Sequence, residues 1–134
     1  MSKKTFSTKA TLLTSILADE TTVTGFLLTG MGERNRKGQC NFMVVNKETT
    51  DGDIDKALRE LLARADIGIV LIGQEVAERV RNVILEHEEI IPTILEIPSK
   101  NHPYDPEKDP IVLRAAQILW GCDTGLEKLR ELAA

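Results

Sequence analysis

The sequence predicts a single α/β domain. Its expected core is a four-stranded parallel sheet of strand order 2-1-3-4 with helices on both faces, and a helical segment follows at the C-terminus. The prediction depends on the alternation of strand and helix patterns, on a length of 134 residues, and on one βαβ unit. In that unit the aliphatic runs Ile67–Ile72 and Ile90–Ile97 flank Glu75–His87, where apolar residues recur at helical spacing. Such a unit has parallel strands and a right-handed crossover.

The first half of the chain predicts two strands and a helix. The apolar segment Thr11–Ala18 predicts strand one, and Phe42–Val45 predicts strand two. Between them, Thr22–Thr29 has apolar residues at helical spacing and follows side chains that are suited to capping a helix. Glu33–Asn41 is charged and polar, which indicates an exposed loop.

Two further helices precede and follow the βαβ unit. Thr50, with Asp53 three residues later, predicts a capping box at the start of one helix. Asp109 predicts the cap of the other, because Pro110 follows it at the position where a helix accepts proline. We expect their apolar stripes to face the sheet. These stripes are Ile54, Leu58, Leu61 and Leu62 in the first helix, and Val112, Ala115, Ala116 and Leu119 in the second.

We divide the chain into three parts. Residues 1–10 are polar and are expected to form a disordered arm. Residues 11–121 form the α/β domain, which ends where Gly121–Gly125 interrupts the last long helix. Residues 122–134 form a short tail. A helix is expected in this tail from its leucines, Leu126, Leu129 and Leu132.

Composition and charge exclude several classes of protein. The formal net charge is −4 and no dense basic block occurs, so nucleic acid is not an expected partner. No apolar run approaches the roughly 20 residues that a membrane-spanning helix needs, and the N-terminus lacks the apolar stretch of a signal peptide. We therefore expect a cytosolic protein without direct membrane insertion. Its two cysteines, Cys40 and Cys122, are interpreted as reduced thiols, with a disulfide between them as the alternative.

Asp19 and Glu20 follow strand one, where phospho-receiver domains of this fold have an acidic pair that binds magnesium. Such domains also need an aspartate at the end of strand three, which accepts the phosphoryl group. Gly73 and Gln74 occupy that place, and neither has a carboxylate. We therefore interpret Asp19 and Glu20 as the start of a helix, where negative charge is stabilising. A degenerate receiver-like signalling domain is kept as the alternative function.

No other group of residues predicts catalysis. His87 has no second histidine at the spacing of a zinc site. His102 and Asp105 have no evident nucleophile nearby, and no Gly-x-Ser-x-Gly motif is present. The segment Gly30–Gly32 lacks the ending of a phosphate loop and follows a helix instead of preceding one. We predict no catalytic residue, no metal site and no cofactor, with an unrecognised small hydrolase as a further alternative.

The connection Pro98–Pro110 is an unusual loop. It contains four prolines and Tyr104, which a flexible linker does not need. Proline reduces the number of conformations that a loop loses when it becomes ordered, so this loop can present a fixed surface at low entropic cost. An ordered loop that is followed by a helix favours a protein-binding role.

The segment Leu95–Asp109 resembles the characteristic sequence of the F subunits of eukaryotic vacuolar-type proton ATPases. The similarity extends over Leu12–Trp120, nearly the whole domain. Further matching segments are Ala18–Leu28, Gly30–Gly32, Asn41–Phe42, Asp66–Ile72 and Val76–Arg81. Gly73 departs from the asparagine that is usual in the family, and the tail from Cys122 runs past the usual end.

The resemblance implies a rotor subunit with no catalytic residue and no nucleotide site. An F subunit of this family sits on the central stalk and binds the long coiled coil of the D subunit. ATP hydrolysis in the A and B subunits turns that stalk, which drives proton pumping through the membrane sector. The expected place of the chain is then the cytosolic face of vacuolar or other internal membranes, where it braces the shaft.

Two groups of residues are the expected contacts with the D subunit. Ile111, Ile118 and Trp120 lie off the stripe that is predicted to face the sheet, and large apolar side chains at such positions are typical of interfaces. The second group is the basic residues of the first loop, Arg34, Arg36 and Lys37. The alternative for the first group is that the C-terminal tail folds back over it.

Overall fold

The computed structural model describes residues 11–34 and 37–134, so the expected arm at residues 1–10 lies outside the described part. The protein contains one sheet of four strands in the order β2-β1-β3-β4 among the described residues. The strands are β1 (Leu13–Ala18), β2 (Phe42–Val44), β3 (Ile67–Gly73) and β4 (Thr93–Ile97). Each neighbouring pair of strands is parallel. From the strand order, β2 and β4 are the two edges of the sheet. The predicted fold class and strand order are confirmed.

Helices connect and follow these strands. They are α1 (Glu20–Leu28), α2 (Asp51–Ala63), α3 (Gln74–Arg79), α4 (Arg81–Glu86), α5 (Pro110–Trp120) and α6 (Gly125–Ala133). Asp109 caps α5, and the capping box predicted for Thr50 and Asp53 is present at the start of α2. A short 3-10 turn, Pro106–Lys108, precedes α5. Among the described residues, no helix combines the length and apolar character that crossing a membrane requires.

One face of the sheet holds the main core. Val70 and Ile72 of β3 and Ile94 of β4 pack there against α2, α3 and α4. The helix residues in this core are buried, and they are Ile54, Leu58, Leu61, Val76, Ala77, Val80, Val83 and Ile84. The stripe predicted for α2 is therefore confirmed, except that Leu62 is only half-buried.

The opposite face is covered by α1 over β1 and β2. Ile16 and Ala18 of β1 pack there with Val23 of α1. Towards the β4 edge the cover is thinner, and Ile69 and Leu95 keep exposed fractions of 38% and 40%. Parallel sheets are normally buried on both faces, so this part of the sheet is unusually accessible.

Two predicted elements differ from those in the structure. Strand four begins at Thr93 and not at Ile90, because Pro92 has no N–H group to donate to a neighbouring strand. The single helix predicted over Glu75–His87 is divided at Val80, whose φ of −125° and ψ of 32° lie outside the helical region. Val80 is β-branched and buried, so its packing in the core is kept while the helix axis is interrupted.

Helix α5 leaves the sheet instead of lying along it. It packs mainly against α6 and the 3-10 turn, and its beginning lies near α4 and β4. The predicted sheet-facing stripe is therefore wrong in part. Ala116 is buried and Val112 half-buried, but Ala115 and Leu119 are exposed. The predicted stripe assumes that α5 covers the sheet. In the structure α5 packs mainly against α6 and the 3-10 turn, which explains why part of the stripe is exposed.

Candidate partner-binding surface

The end of α5 exposes large apolar side chains. Ile118 is 84% exposed, Leu119 is 69% exposed, and Trp120 is 39% exposed. Ile111, at the start of the helix, is 38% exposed. The structure therefore leaves accessible the three residues predicted to bind a partner, and it adds Leu119, whose predicted place was against the sheet.

Helix α6 pairs with α5 without covering Ile118. Leu129 of α6 and Ala116 of α5 are buried, so the two helices meet on that side. A Cβ atom added at Gly125 would lie 3.0 Å from the Ala116 carbonyl oxygen, which shows how closely the two helices approach each other. The tail does fold back, as the alternative expects, but the exposed apolar end of α5 remains beside it.

The basic group lies in the loop before β2. Arg34 and Lys37 are exposed there, whereas Arg36 lies outside the described residues. The loop leads into β2 and α5 follows β4, and these strands are opposite edges of the sheet. Three strand spacings of about 4.8 Å separate the two edges by roughly 14 Å. The described basic residues therefore precede one edge strand while α5 follows the other, and a partner that contacts both groups must reach across the sheet.

Gln74 holds the loop that leads to α5. Its side-chain oxygen accepts from the Asp105 backbone N–H at 2.7 Å, and its Nε2 atom donates to the Asp105 carbonyl oxygen, also at 2.7 Å. Nε2 donates in addition to Oε2 of Glu96 at 3.0 Å. Gln74 is buried at the start of α3, so its side-chain amide replaces the backbone partner that a neighbouring strand would offer to Asp105.

Glu96 and Arg81 form an ion pair at the edge of the main core. The Glu96 side chain is 1% exposed, and Arg81 donates to its Oε1 atom. Burial raises the pKa of the Glu96 carboxyl, while the hydrogen bonds from Arg81 and Gln74 act in the opposite direction. A buried charge is tolerated when it is paired and hydrogen-bonded, so Glu96 depends on both neighbours.

Tyr104 joins the loop to the start of α5. Its hydroxyl donates to Oδ2 of Asp109 at 2.5 Å, and Oδ1 of Asp109 accepts from the Ile111 backbone N–H at 3.0 Å. Burial and the contact with the Asp109 carboxylate raise the pKa of Tyr104. Asp109 is buried, so a single carboxylate caps the helix and anchors the loop at the same time.

Two ion pairs connect the 3-10 turn to the helices on either side. Lys108 Nζ lies 2.9 Å from Oε1 of Glu78 in α3. Arg130 of α6 donates to both carboxylate oxygens of Glu107, at 2.9 and 3.2 Å. Exposed pairs contribute little stability, but the second is bidentate and joins α6 to the turn.

The acidic pair after β1 begins a helix. Oδ1 of Asp19 accepts from the Thr22 hydroxyl at 2.6 Å, and Oδ2 accepts from the Thr22 N–H at 3.3 Å. Burial opposes ionisation, but the hydrogen bonds from Thr21 and Thr22 lower the pKa of Asp19 to about 2. Glu20 lies in the first turn. The interpretation of both residues as a helix start is confirmed.

The remaining candidates for chemistry, His102 and Asp105, line one open cleft but bind different partners. His102 Nδ1 contacts the carboxylate of Glu75, and Asp105 binds Gln74 and the Glu107 N–H. Among the described residues, no group of three or more His, Cys, Asp or Glu side chains is arranged to hold a metal ion.

Gln74, Arg81 and Glu96 are the structurally important residues that sequence reasoning missed. In the sequence, Gln74 stands out only as a residue that cannot accept phosphate. A signal is present in Glu96, because an acidic residue between Leu95 and Ile97 interrupts an aliphatic strand. Buried carboxylates need partners, so this position predicts a buried polar contact without identifying its members.

The chain is similar to proteins of one family over most of its length. The family described as ATP synthase (F/14-kDa) subunit matches residues 15–114. The F subunit of the V-type proton ATPase of Homo sapiens is 52% identical over 103 residues, covering 77% of this chain and 87% of the human protein. The protein of that name from Dictyostelium discoideum is 45% identical over 114 residues, covering 85% and 95% of the two chains. The one from Xenopus laevis is 54% identical over 100 residues, covering 75% and 91%.

Proposed function

Because the chain belongs to the family of the F subunits of eukaryotic V-type proton ATPases, we propose that it is a non-catalytic rotor subunit of the central stalk. In this role it binds the coiled-coil D subunit and helps to couple ATP hydrolysis to proton pumping. Through the D subunit it is connected to the catalytic A and B subunits and to the membrane rotor. Its proposed place is the cytosolic face of vacuolar or other internal membranes, and it uses no cofactor.

The exposed end of α5 is the observation that carries this proposal. Ile118 and Leu119 are largely exposed on a helix that packs mainly against α6 and the 3-10 turn. Burying an isoleucine or leucine side chain is worth about 1.5–3 kcal/mol, and tryptophan is enriched among the residues that dominate binding energies. A helix with such side chains suits packing against a coiled coil, since two helices bury their apolar faces together.

The other proposed contacts and boundaries complete the assignment. Arg34, Arg36 and Lys37 are proposed to contact the D subunit from the opposite edge of the sheet. We propose that residues 11–121 form the family domain and that residues 122–134 form a tail which supports α5. A signalling role of the receiver type is not favoured, because Asp19 is engaged as a helix cap and β3 ends at Gly73.

The proposal is tested by changing one exposed residue on each of two surfaces. Ile118→Asp introduces a charge at the proposed contact, and Leu28→Asp introduces the same charge on α1, where Leu28 is 85% exposed. Each variant is co-expressed with a tagged D subunit, and the bound chain is quantified after affinity purification. We expect both variants to keep the circular dichroism of the parent, and we expect Ile118→Asp alone to lose copurification.

The outcomes separate the contact surface from the family assignment. A folded Ile118→Asp protein that binds as tightly as the parent would refute α5 as the contact. Equal loss of binding with Leu28→Asp would show that any added surface charge disrupts the complex. If the parent chain recovers neither the D subunit nor the other ATPase subunits, the rotor function itself is wrong.

A further inference from the structure

The direction of α5 is not determined by close packing against the domain. A cleft of about 250 Å³ lies between the beginning of α5 and the surface of α4 and β4, and Ile84, Ile94, Ile111 and Arg114 are among its lining residues. Side chains that face a cleft lose the contacts that fix a packed helix. Polar contacts hold the path on which the chain enters α5.

Five polar side chains lie along that path. We call them the loop network, and they are Gln74, Arg81, Glu96, Tyr104 and Asp109. At one end Gln74 pairs with both backbone groups of Asp105, and at the other Tyr104 binds the carboxylate that caps α5. The 3-10 turn between these two ends also contacts α5 and α6. The network therefore connects the sheet domain to the C-terminal pair of helices.

Burial makes the network sensitive to small displacements. Gln74, Glu96 and Asp109 are each less than 10% exposed, at 6%, 8% and 5% of the whole residue. A buried polar group that loses its partner is destabilised by more than the hydrogen bond had contributed, because water does not replace that partner. A path on which Asp105 moves away removes two of the three hydrogen bonds of the Gln74 side chain and leaves the one to Glu96, so the observed path is preferred over its neighbours.

We propose that the loop network positions the α5–α6 pair relative to the sheet, and that Gln74 is the positioning residue on which this depends. Helix α5 has 11 residues, which corresponds to about 16 Å of helix. A rotation of about 20° at its start therefore moves its far end by about 6 Å. That end carries Ile118 and Trp120, so the network determines where the apolar surface of the proposed function is presented.

The two native cysteines allow the direction of α5 to be measured. Cys40 precedes β2 and Cys122 follows α5, and both are exposed free thiols. They are the two cysteines of the sequence, so spin labels attach at these positions without further substitution. Pulsed electron paramagnetic resonance then gives the distribution of distances between the sheet domain and the far end of α5.

Gln74→Met is the decisive variant, because methionine keeps the size of the side chain and removes its hydrogen bonds. We expect it to shift the mean distance by several ångströms or to at least double the width of the distribution. Ile54→Val is the control, since Ile54 is buried in α2 and its truncation weakens the core without touching the loop. Its distance distribution should coincide with that of the parent. If Gln74→Met does not fold, Tyr104→Phe, which removes a single hydroxyl, takes its place.

Two results overturn the inference. One is a folded Gln74→Met protein, or Tyr104→Phe in its place, whose distance distribution equals that of the parent. The other is the same broadening in Ile54→Val, which would mean that general destabilisation moves the helices. These measurements use the isolated chain, so they are independent of the copurification test. An unchanged distance in the variant together with binding of the D subunit by the parent rejects the positioning role alone. A changed distance in the variant together with a parent that does not bind the D subunit rejects the proposed function alone.

Discussion

Replacing Ile84 by alanine tests which side of α4 faces the sheet. Ile84 is 4% exposed and belongs to the main core with Val80 and Ile94. The change removes the equivalent of about three methylene groups, worth about 0.8 kcal/mol each when buried, so the transfer contribution alone is about 2.4 kcal/mol. The space left behind adds to this loss, and comparable substitutions destabilise by about 2–5 kcal/mol.

The surroundings of Ile84 place the expected value in the lower half of that range. Ile84 also borders the cleft beside α5, so part of its surface already lacks close neighbours. We expect a loss of about 3 kcal/mol in the free energy of unfolding. Since the total stability of a domain is about 5–15 kcal/mol, the variant should stay folded at neutral pH but unfold at a much lower denaturant concentration.

Urea denaturation followed by circular dichroism measures this loss. With a slope of about 1.5 kcal/mol per molar, a loss of about 3 kcal/mol lowers the midpoint by about 2 M. Leu85→Ala is the matched control, because the adjacent Leu85 is 52% exposed. About half of its side chain is already in water, so the loss should be only about 1 kcal/mol. An unchanged midpoint for Ile84→Ala, or an equal effect of Leu85→Ala, would show that the face of the helix is assigned incorrectly.

Three further predictions follow from the polar residues. The isolated chain should not retain a phosphoryl or beryllofluoride group at Asp19 or Glu20, because Asp19 caps α1 and β3 ends at Gly73, which has no carboxylate. Stable incorporation of either group, detected by mass spectrometry, would contradict this prediction. The pKa of Asp19 is about 2 in the fold against 3.8 ordinarily, so its ionised form stabilises the fold above pH 3.8, and this contribution is lost as the pH falls towards 2. Between about pH 5 and pH 2 the urea midpoint of the parent should therefore fall further than that of Asp19→Asn, which keeps a capping side chain. If the midpoints of the two proteins change equally with pH, the prediction for Asp19 is wrong. Tyr104 is the one tyrosine of the sequence, and its pKa is raised. Tyrosinate absorbance should therefore appear only above the pH at which free tyrosine ionises, about 10. A titration curve like that of free tyrosine would contradict the hydrogen bond to Asp109.

The sheet and its covering helices are predictable from the sequence because their signals are local. The run Ile67–Ile72 is too short and too β-branched for a helix, and Thr50 with Asp53 forms a capping box within four residues of chain. A βαβ unit then restricts the topology, since its crossover has one hand. Each of these inferences uses neighbours in sequence, and the structure confirms the strand, the capping box and the strand order.

The loop network is not predictable in the same way. Gln74 and Asp105 are 31 positions apart, and Arg81 and Glu96 are 15 apart. Nothing in the local pattern at Gln74 distinguishes a buried amide from an exposed one at the start of a helix. Polar contacts of this kind depend on how the loop is placed in three dimensions, which neither periodicity nor capping rules describe.

The misplaced stripe of α5 has an informative cause. The prediction places Leu119 against the sheet because a doubly wound sheet normally has helices on both faces. In the structure α5 lies elsewhere, and apolar surface remains open on the sheet at Ile69 and Leu95 as well as on the helix at Ile118 and Leu119. Exposed apolar area is unfavourable in water by about 25 cal/mol per Å², so an isolated domain gains nothing from this arrangement. It becomes favourable when a partner covers these side chains, and for that reason Ile118→Asp should leave the stability of the isolated chain unchanged while it removes binding.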